Sequence, residues 1–125
     1  MINSNEVMTD NLIAGINPPA QVAAGTISKL DVETTYTRGT LLAKSENNGK
    51  LYILGTVADE GDTLTAECIL ADDTAIGTSA DVNAEVYVAG YFNTKELVVK
   101  TGYTMTETDK DALRERGNYL GGILD

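Results

Sequence analysis

The chain has 125 residues, of which 42% are hydrophobic and 22% charged, a composition typical of one folded domain that buries its own core. Nine basic residues against nineteen acidic ones give a formal net charge of −10. That balance argues against nucleic-acid and anionic membrane partners, both of which are bound through clustered basic side chains. The chain contains no His, which excludes Ser-His-Asp and Cys-His catalytic centres and imidazole metal ligands.

The sequence carries no recognisable export or membrane signal. No apolar stretch approaches the roughly 18 residues that a membrane-spanning helix requires. Residues 1–6 have neither the basic region nor the apolar core of a signal peptide. We therefore expect synthesis in a cytosol without export through the general secretory route.

The first thirty residues differ in composition from the rest of the chain. An apolar patch at 12–15 is followed by two prolines at 18 and 19 and then by the small-residue run 20–25. Consecutive prolines favour an extended backbone and remove hydrogen-bond donors. We interpret residues 1–30 as an extended N-terminal arm that is mobile in isolation and ordered by a partner, followed by a single β-rich domain over residues 31–125. A second interpretation stays open, in which the segment is an ordinary first strand with a frayed end.

Strand-like patterns begin near Tyr36. Residues 39–44 and 50–54 flank a loop that ends in Asn-Asn-Gly, and this arrangement predicts a β hairpin because Asn and Gly tolerate positive φ. Another strand is predicted within residues 63–71, which lie between two acidic turns.

The clearest strand is predicted over residues 84–92. Alternation places Ala84, Val86, Val88 and Phe92 on one face, and Glu85, Tyr87 and Tyr91 on the other. Aromatic side chains on both faces favour a core on one side and partial cover by a neighbouring subunit on the other, although a lone domain also carries exposed Tyr. A turn at 93–95 and a short apolar run at 96–99 follow.

One helix is predicted near the end of the chain. Thr106 is a hydroxyl cap followed by acidic residues in the first turn, and Gly117 stands where a left-handed C-terminal cap belongs. The apolar stripe is thin, with Ala112 and Leu113 in the helix and Leu120 beyond it, so we expect the helix to lie on the side of a sheet. Many short strands and one late helix predict a mainly β or α+β domain.

The sequence offers little positive support for an enzyme or a metal site. Asp59, Glu60 and Asp62, with Asp72 and Asp73, are the candidate hard-oxygen ligands, but their spacing does not match a calcium loop and is typical of a solvated turn. The single Cys68 cannot form an intramolecular disulfide, and its apolar surroundings predict an inert, half-buried thiol. We expect no catalytic residues, no metal and no cofactor.

Five segments stand in a characteristic order and spacing. They are GTLLAK at 39–44, GKLY at 49–52, ILADD at 69–73, EVYVAGYFN at 85–93 and ALRERGNYL at 112–120. Together they resemble the head decoration proteins of tailed bacteriophages, the family of the lambda decoration protein, over roughly residues 12–120. Two positions depart from the family pattern: Cys68 stands where the family often has Gly, and Tyr91 where it often has an acidic residue. Both departures concern packing more than function.

The resemblance implies a compact domain of the β-clip type with one or two short helices. It also implies a non-enzymatic structural protein that binds the outside of the expanded phage head as homotrimers and clamps capsid subunits against the pressure of packaged DNA. In the family an N-terminal arm, disordered when free, adds a strand to the major capsid protein, in agreement with the arm interpreted above. The implied location is the outer surface of the virion, after synthesis in the host bacterial cytoplasm, with no nucleic-acid or membrane partner.

The residues expected to contact the capsid are those of the arm that could engage a partner strand. They are Leu12, Ile13, Ala14, Gly15, Pro18 and Pro19. Two other functions stay open: a different phage structural part, such as a tail or fibre-associated β domain, or a small β module that binds Ca²⁺ or a metabolite through the acidic turns.

Overall fold

A computed structural model describes residues 11–121 of the chain. Its elements, in order, are β1 (Ile13–Gly15), β2 (Gln21–Ile27), β3 (Thr34–Tyr36), β4 (Leu41–Ser45), β5 (Leu51–Ile53), β6 (Leu64–Leu70), β7 (Thr74–Ile76), β8 (Val82–Asn93), a 3₁₀ turn (Thr94–Glu96), α1 (Glu107–Glu115) and β9 (Asn118–Gly121). This mainly β architecture with one short α-helix confirms the fold class expected from the sequence.

Five strands close on themselves to form a small barrel. β8 pairs antiparallel with β2 and β6, β4 pairs antiparallel with β5 and β6, and β5 pairs in parallel with β2. The β4–β5 pair is the predicted hairpin, and its loop ends at Gly49 with a φ of +74° that glycine adopts without strain. β3 and β7 form a separate two-stranded sheet. Closure pairs most strand edges within the domain.

The C-terminal end of β8 extends past the barrel and forms the middle strand of a second sheet. There β9 runs parallel to β8, and β1 runs antiparallel to it. Phe92 lies opposite Ile13 of β1 and opposite Leu120 of β9. Because Phe92 has a different partner strand on each of its two sides, β1 and β9 flank β8. β9 was not expected from the sequence, because it is short and carries no alternating pattern.

The predicted faces of β8 are wrong at its C-terminal end. Phe92 is expected opposite Tyr87, but the two rings pack in the same core with their centroids 5.3 Å apart. The reason is a β-bulge: consecutive residues of β2 lie opposite Ala89 and Tyr87, so Val88 is an extra residue in β8. One extra residue reverses which side chains face the core from that point onward.

Two hydrophobic cores lie on opposite faces of β4 and β6. The neighbouring residues Leu41 and Leu42 are both fully buried, Leu41 in the first core and Leu42 in the second. The first core is covered by α1 through Leu113 and by the N-terminal segment through Leu12. The second core contains the following buried residues: Ile27, Tyr36, Leu42, Leu51, Cys68, Leu70, Ile76 and Val86. Strands buried on both faces account for the near-continuous apolar runs of β4 and β6.

Helix α1 confirms the helix predicted from the sequence. The Thr106 hydroxyl accepts a hydrogen bond from the Asp109 N–H at 3.1 Å, and the Asp109 carboxylate accepts one from the Thr106 N–H at 3.0 Å. The Tyr103 hydroxyl donates to the same carboxylate. Gly117, with φ at +98°, ends the helix as predicted. The helix is therefore fixed at both ends, although it buries a narrow stripe.

We predict that Leu113→Ala lowers the free energy of unfolding by about 2–5 kcal/mol, because it removes a fully buried side chain and leaves a cavity under α1. Urea denaturation followed by circular dichroism measures the effect. The matched control is Val57→Ala, at a side chain that is 85% exposed, and it should change stability by less than about 0.5 kcal/mol. Equal unfolding midpoints for the two variants would contradict this packing of the helix.

Candidate functional site

The residues predicted to contact a partner occupy two different environments. Leu12 is only 1% exposed and belongs to the first core, and its carbonyl accepts a hydrogen bond from the Asn93 N–H at 2.7 Å. The strand Ile13–Gly15 is partly buried beside β8. Pro18 and Pro19 lie in the loop that follows; Pro18 is partly exposed and Pro19 is exposed. The structure thus brings these residues together along one edge of β8, with Leu12 anchored inward.

The N-terminal segment follows β8 over its whole length. β1 begins opposite Phe92, and β2 ends opposite Val82, both strands antiparallel to β8. Between them residues 16–20 form a loop with a cis peptide bond before Pro18. In this structure, Ile13–Gly15 and Gln21–Ile27 are thus strands of the folded domain, as in the second interpretation of this segment. Residues 1–10 of the predicted arm lie outside the described residues, and the mobility and capsid contact of the arm stay predictions.

The outward side of the small sheet is built around Tyr91. The neighbouring residue Phe92 points into the first core, so Tyr91 points away from it. A Cβ on Gly15 would lie 2.8 Å from the Tyr91 ring, and one on Gly121 would overlap the same ring from the other side. The ring therefore lies flat across both neighbouring strands, in space that only glycine leaves. We call the surface formed by Gly15, Tyr91, Tyr119 and Gly121 the tyrosine face.

A shallow cleft of about 550 Å³ opens on the tyrosine face. It is lined by Asn17, Pro18, Tyr91, Tyr119 and Leu120. Tyr119 is 43% exposed, and Ile16, next to this lining, is 88% exposed. Tyr91 was expected on the less covered side of β8, but Tyr119 was not expected beside it, because the pairing of β9 with β8 joins residues far apart in the chain.

The tyrosine face carries no charged residue, although 22% of the residues in the chain are charged. Residues 11–28, 86–94 and 117–121 contain no Asp, Glu, Lys or Arg. These ranges include all of β1, β2 and β9 and the end of β8 that they flank. The folding of three separate uncharged stretches into one region could not be inferred from any of them alone.

A second, larger cleft of about 930 Å³ lies between the segment after β2, the end of β5 and residues 98–101. Its lining includes four charged residues of both signs, namely Lys29, Asp31, Asp59 and Lys100. Several threonines, two tyrosines and five aliphatic residues (Leu30, Val32, Ile53, Val98 and Val99) complete the wall. This mixed lining shows no cluster of nucleophile and base and no aligned set of metal ligands.

The acidic turns carry structural hydrogen bonds. The Asp62 carboxylate accepts bonds from the Ser45 hydroxyl at 2.6 Å and from the Thr63 and Asn47 N–H groups at 2.7 and 3.2 Å. The Ser45 bond, with help from those backbone groups, lowers the pKa of Asp62. Among residues 11–121, no group of three or more Cys, Asp or Glu side chains lies close enough together to hold a metal ion.

Asp81 acts as a second structural carboxylate. It forms an ion pair with Lys50 at 2.8 Å and accepts the Lys29 N–H at 2.9 Å, which joins the segment after β2 to the loop before β8. The Lys50 bond lowers the pKa of Asp81, and the Lys29 bond acts in the same direction. Asp62 and Asp81 therefore stabilise the protein structurally, Asp62 within a turn and Asp81 between two segments of the chain.

Cys68 is deeply buried in the second core. Burial raises the pKa of its thiol to about 12, and the nearby Glu67 carboxylate adds to the rise. The thiolate is the reactive form of cysteine, so this side chain is inert at neutral pH. It is more buried than the half-buried position expected from the sequence. Among the described residues no helix is long and apolar enough to cross a membrane.

Comparison with known proteins identifies one family. The sequence model described as bacteriophage lambda head decoration protein D matches residues 1–120. The match covers both cores, the helix and every residue of the tyrosine face except Gly121, and it extends through residues 1–10. No curated protein matches the chain.

We predict that Asp62→Asn lowers the melting temperature at pH 7, because the amide cannot accept the same set of hydrogen bonds. The folded-state pKa of Asp62 lies below its unfolded value, so the stabilisation is present above pH 4 or so and is lost as the pH falls through the folded pKa. Melting curves from pH 7 to pH 2 should therefore converge for the two proteins at acid pH.

Glu60→Gln is the matched control, because it removes the same charge from an exposed position of the same turn and should leave the curve unchanged. The melts are repeated with millimolar calcium. A calcium-dependent rise that Asp62→Asn abolishes would show instead that the turn is a cation site.

Proposed function

The chain belongs to the bacteriophage lambda head decoration protein D family, a family of structural proteins of the phage capsid, and we propose that it binds the outer surface of the expanded head as a homotrimer. In that position it stabilises the capsid against the pressure of the packaged DNA. The protein is synthesised in the bacterial cytoplasm and joins the head from outside. The family match over residues 1–120 is the observation that carries this proposal, and it favours the head over the tail.

The fold suits a clamp that carries load. Five strands close into a barrel, and a second sheet is joined to it through the shared strand β8. Backbone hydrogen bonds thus connect both cores, and a force applied at the small sheet is resisted by the barrel. A net charge of −10 gives such a protein no affinity for the genome, in agreement with a position outside the shell.

We propose that the arm binds the major capsid protein by strand addition. In this mode main-chain hydrogen bonds provide affinity, and alternating side chains fix the register. Leu12 is held in the first core, so the residues that add a strand are those before it, while Ile13–Gly15, Pro18 and Pro19 form the adjoining contact surface. Ordering one arm is costly, but three arms on one trimer bind together with high avidity.

We predict saturable cosedimentation of the purified protein with expanded, undecorated heads, at about one copy per capsid subunit, measured by densitometry of the pelleted particles. Heads that already carry the protein serve as the control and should take up none. A protein that stays in the supernatant with expanded heads would overturn the proposed function.

A chain that begins at Asn11 tests the arm separately. It keeps Leu12 and both N-terminal strands, so we expect an unchanged melting temperature together with at least about tenfold weaker binding to heads. Removal of residues 1–28 is unsuitable, because it deletes β1, β2 and two buried core residues. Equal affinity of the shortened and intact proteins would refute strand addition by residues 1–10.

A further inference from the structure

We propose that the tyrosine face is a docking surface for the capsid subunit and that it receives an uncharged, apolar segment of that subunit. This inference rests on the proposed function and adds to it a contact made by the folded domain, apart from the arm. Three observations support it: the absence of charge on this face, the geometry of Tyr91 and the anchoring of Leu12 directly before β1.

Charge distinguishes this face from the rest of the protein. Burying a charged side chain in an interface without a partner is costly, and interface centres are accordingly poor in Asp, Glu and Lys and rich in Tyr. The tyrosine face and the strands around it lie within residues 11–28, 86–94 and 117–121, which carry no charge. The larger cleft contains Lys29, Asp31, Asp59 and Lys100, which a partner would have to neutralise. Of the two clefts, the uncharged one is therefore the better docking site.

The Tyr91 ring has a fixed place between the two neighbouring strands. Its ring is confined between Gly15 and Gly121, so docking need not freeze a freely rotating side chain. Tyr119 lies directly opposite Tyr91 in the β8–β9 register and adds an exposed ring beside the partly exposed one. Two neighbouring aromatic rings provide the apolar contact area with a polar tip that is typical of strongly binding interface residues.

The occupant follows from the position of the arm. Leu12 fixes the chain in the first core directly before β1, and β1 contributes Gly15 to the tyrosine face. Ten extended residues span at most about 33–36 Å, so a partner that lies against this sheet is within reach of residues 1–10. A capsid subunit bound by the arm is therefore the molecule that lies next to the tyrosine face.

The test compares single substitutions to Lys at exposed apolar positions. Tyr119→Lys and Ile16→Lys place a charge on or beside the tyrosine face, and Val57→Lys places the same charge in the loop after β5. Each substitution adds one positive charge, so the three variants experience the same overall electrostatic attraction to or repulsion from the heads. Ile16 is 88% exposed, so its variant cannot disturb the cores. Binding to expanded heads is measured by cosedimentation, oligomeric state by light scattering and folding by thermal melting.

We expect the two face variants to bind expanded heads at least about tenfold more weakly than wild type, with Val57→Lys unchanged and all proteins equal in oligomeric state and melting temperature. Wild-type binding together with undiminished binding of both face variants would overturn this inference and leave the proposed function intact. A smaller oligomer for the face variants would also overturn it, because the face would then join copies of the chain. If wild type itself fails to bind, the proposed function fails, and this inference fails with it.

Discussion

Strand β8 is the element on which the rest of the structure depends, because it belongs to both sheets. Its first part closes the barrel between β2 and β6, and its last residues hold β1 and β9. The bulge at Val88 is the joint between these two parts. Before it Tyr87 faces the first core, and after it Phe92 faces the same core, although the two residues are an odd number apart. A single inserted residue thus lets one strand belong to two sheets while Tyr87 and Phe92, on either side of the bulge, pack in the same core.

Tyr87 is held at this joint by a polar network. Arg38 donates from Nη1 to the Tyr87 hydroxyl at 2.5 Å and to the Ala71 carbonyl at 3.0 Å, and its guanidinium lies 5.3 Å from the centre of the Tyr87 ring. The Arg38 N–H donates to the Asp73 carboxylate at 2.7 Å. These bonds explain why a tyrosine predicted on the less covered face is nearly fully buried: its ring packs on Phe92, and its hydroxyl keeps a partner.

The sequence predicted the elements whose signals are local and missed those that depend on distant pairing. The β4–β5 hairpin, whose loop ends at Gly49, and the helix capped by Thr106 and Gly117 were foreseen. Each requires only neighbouring residues of the right type. The bulge and β9 were not foreseen, since both arise from pairing with segments far away in the chain. For the same reason the N-terminal segment was recognised as a unit, but the inward anchoring of Leu12 was not, nor the meeting of Tyr91 with Tyr119.

The distribution of charge also bears on solubility, because the uncharged strands leave part of one sheet edge open to association. β2 pairs with β5 at a single position, so much of one edge of β2 has no strand partner among the described residues, and Val22 and Ile16 are exposed nearby. An edge without charged residues invites association with other chains. A net charge of −10 opposes such encounters between free copies by mutual repulsion, which acts over about 8–10 Å at physiological salt. The acidic surface and the neutral face are thus complementary: the first opposes non-specific association through exposed strand edges, and the second allows close contact where a matching apolar segment supplies enough contact area to overcome the repulsion.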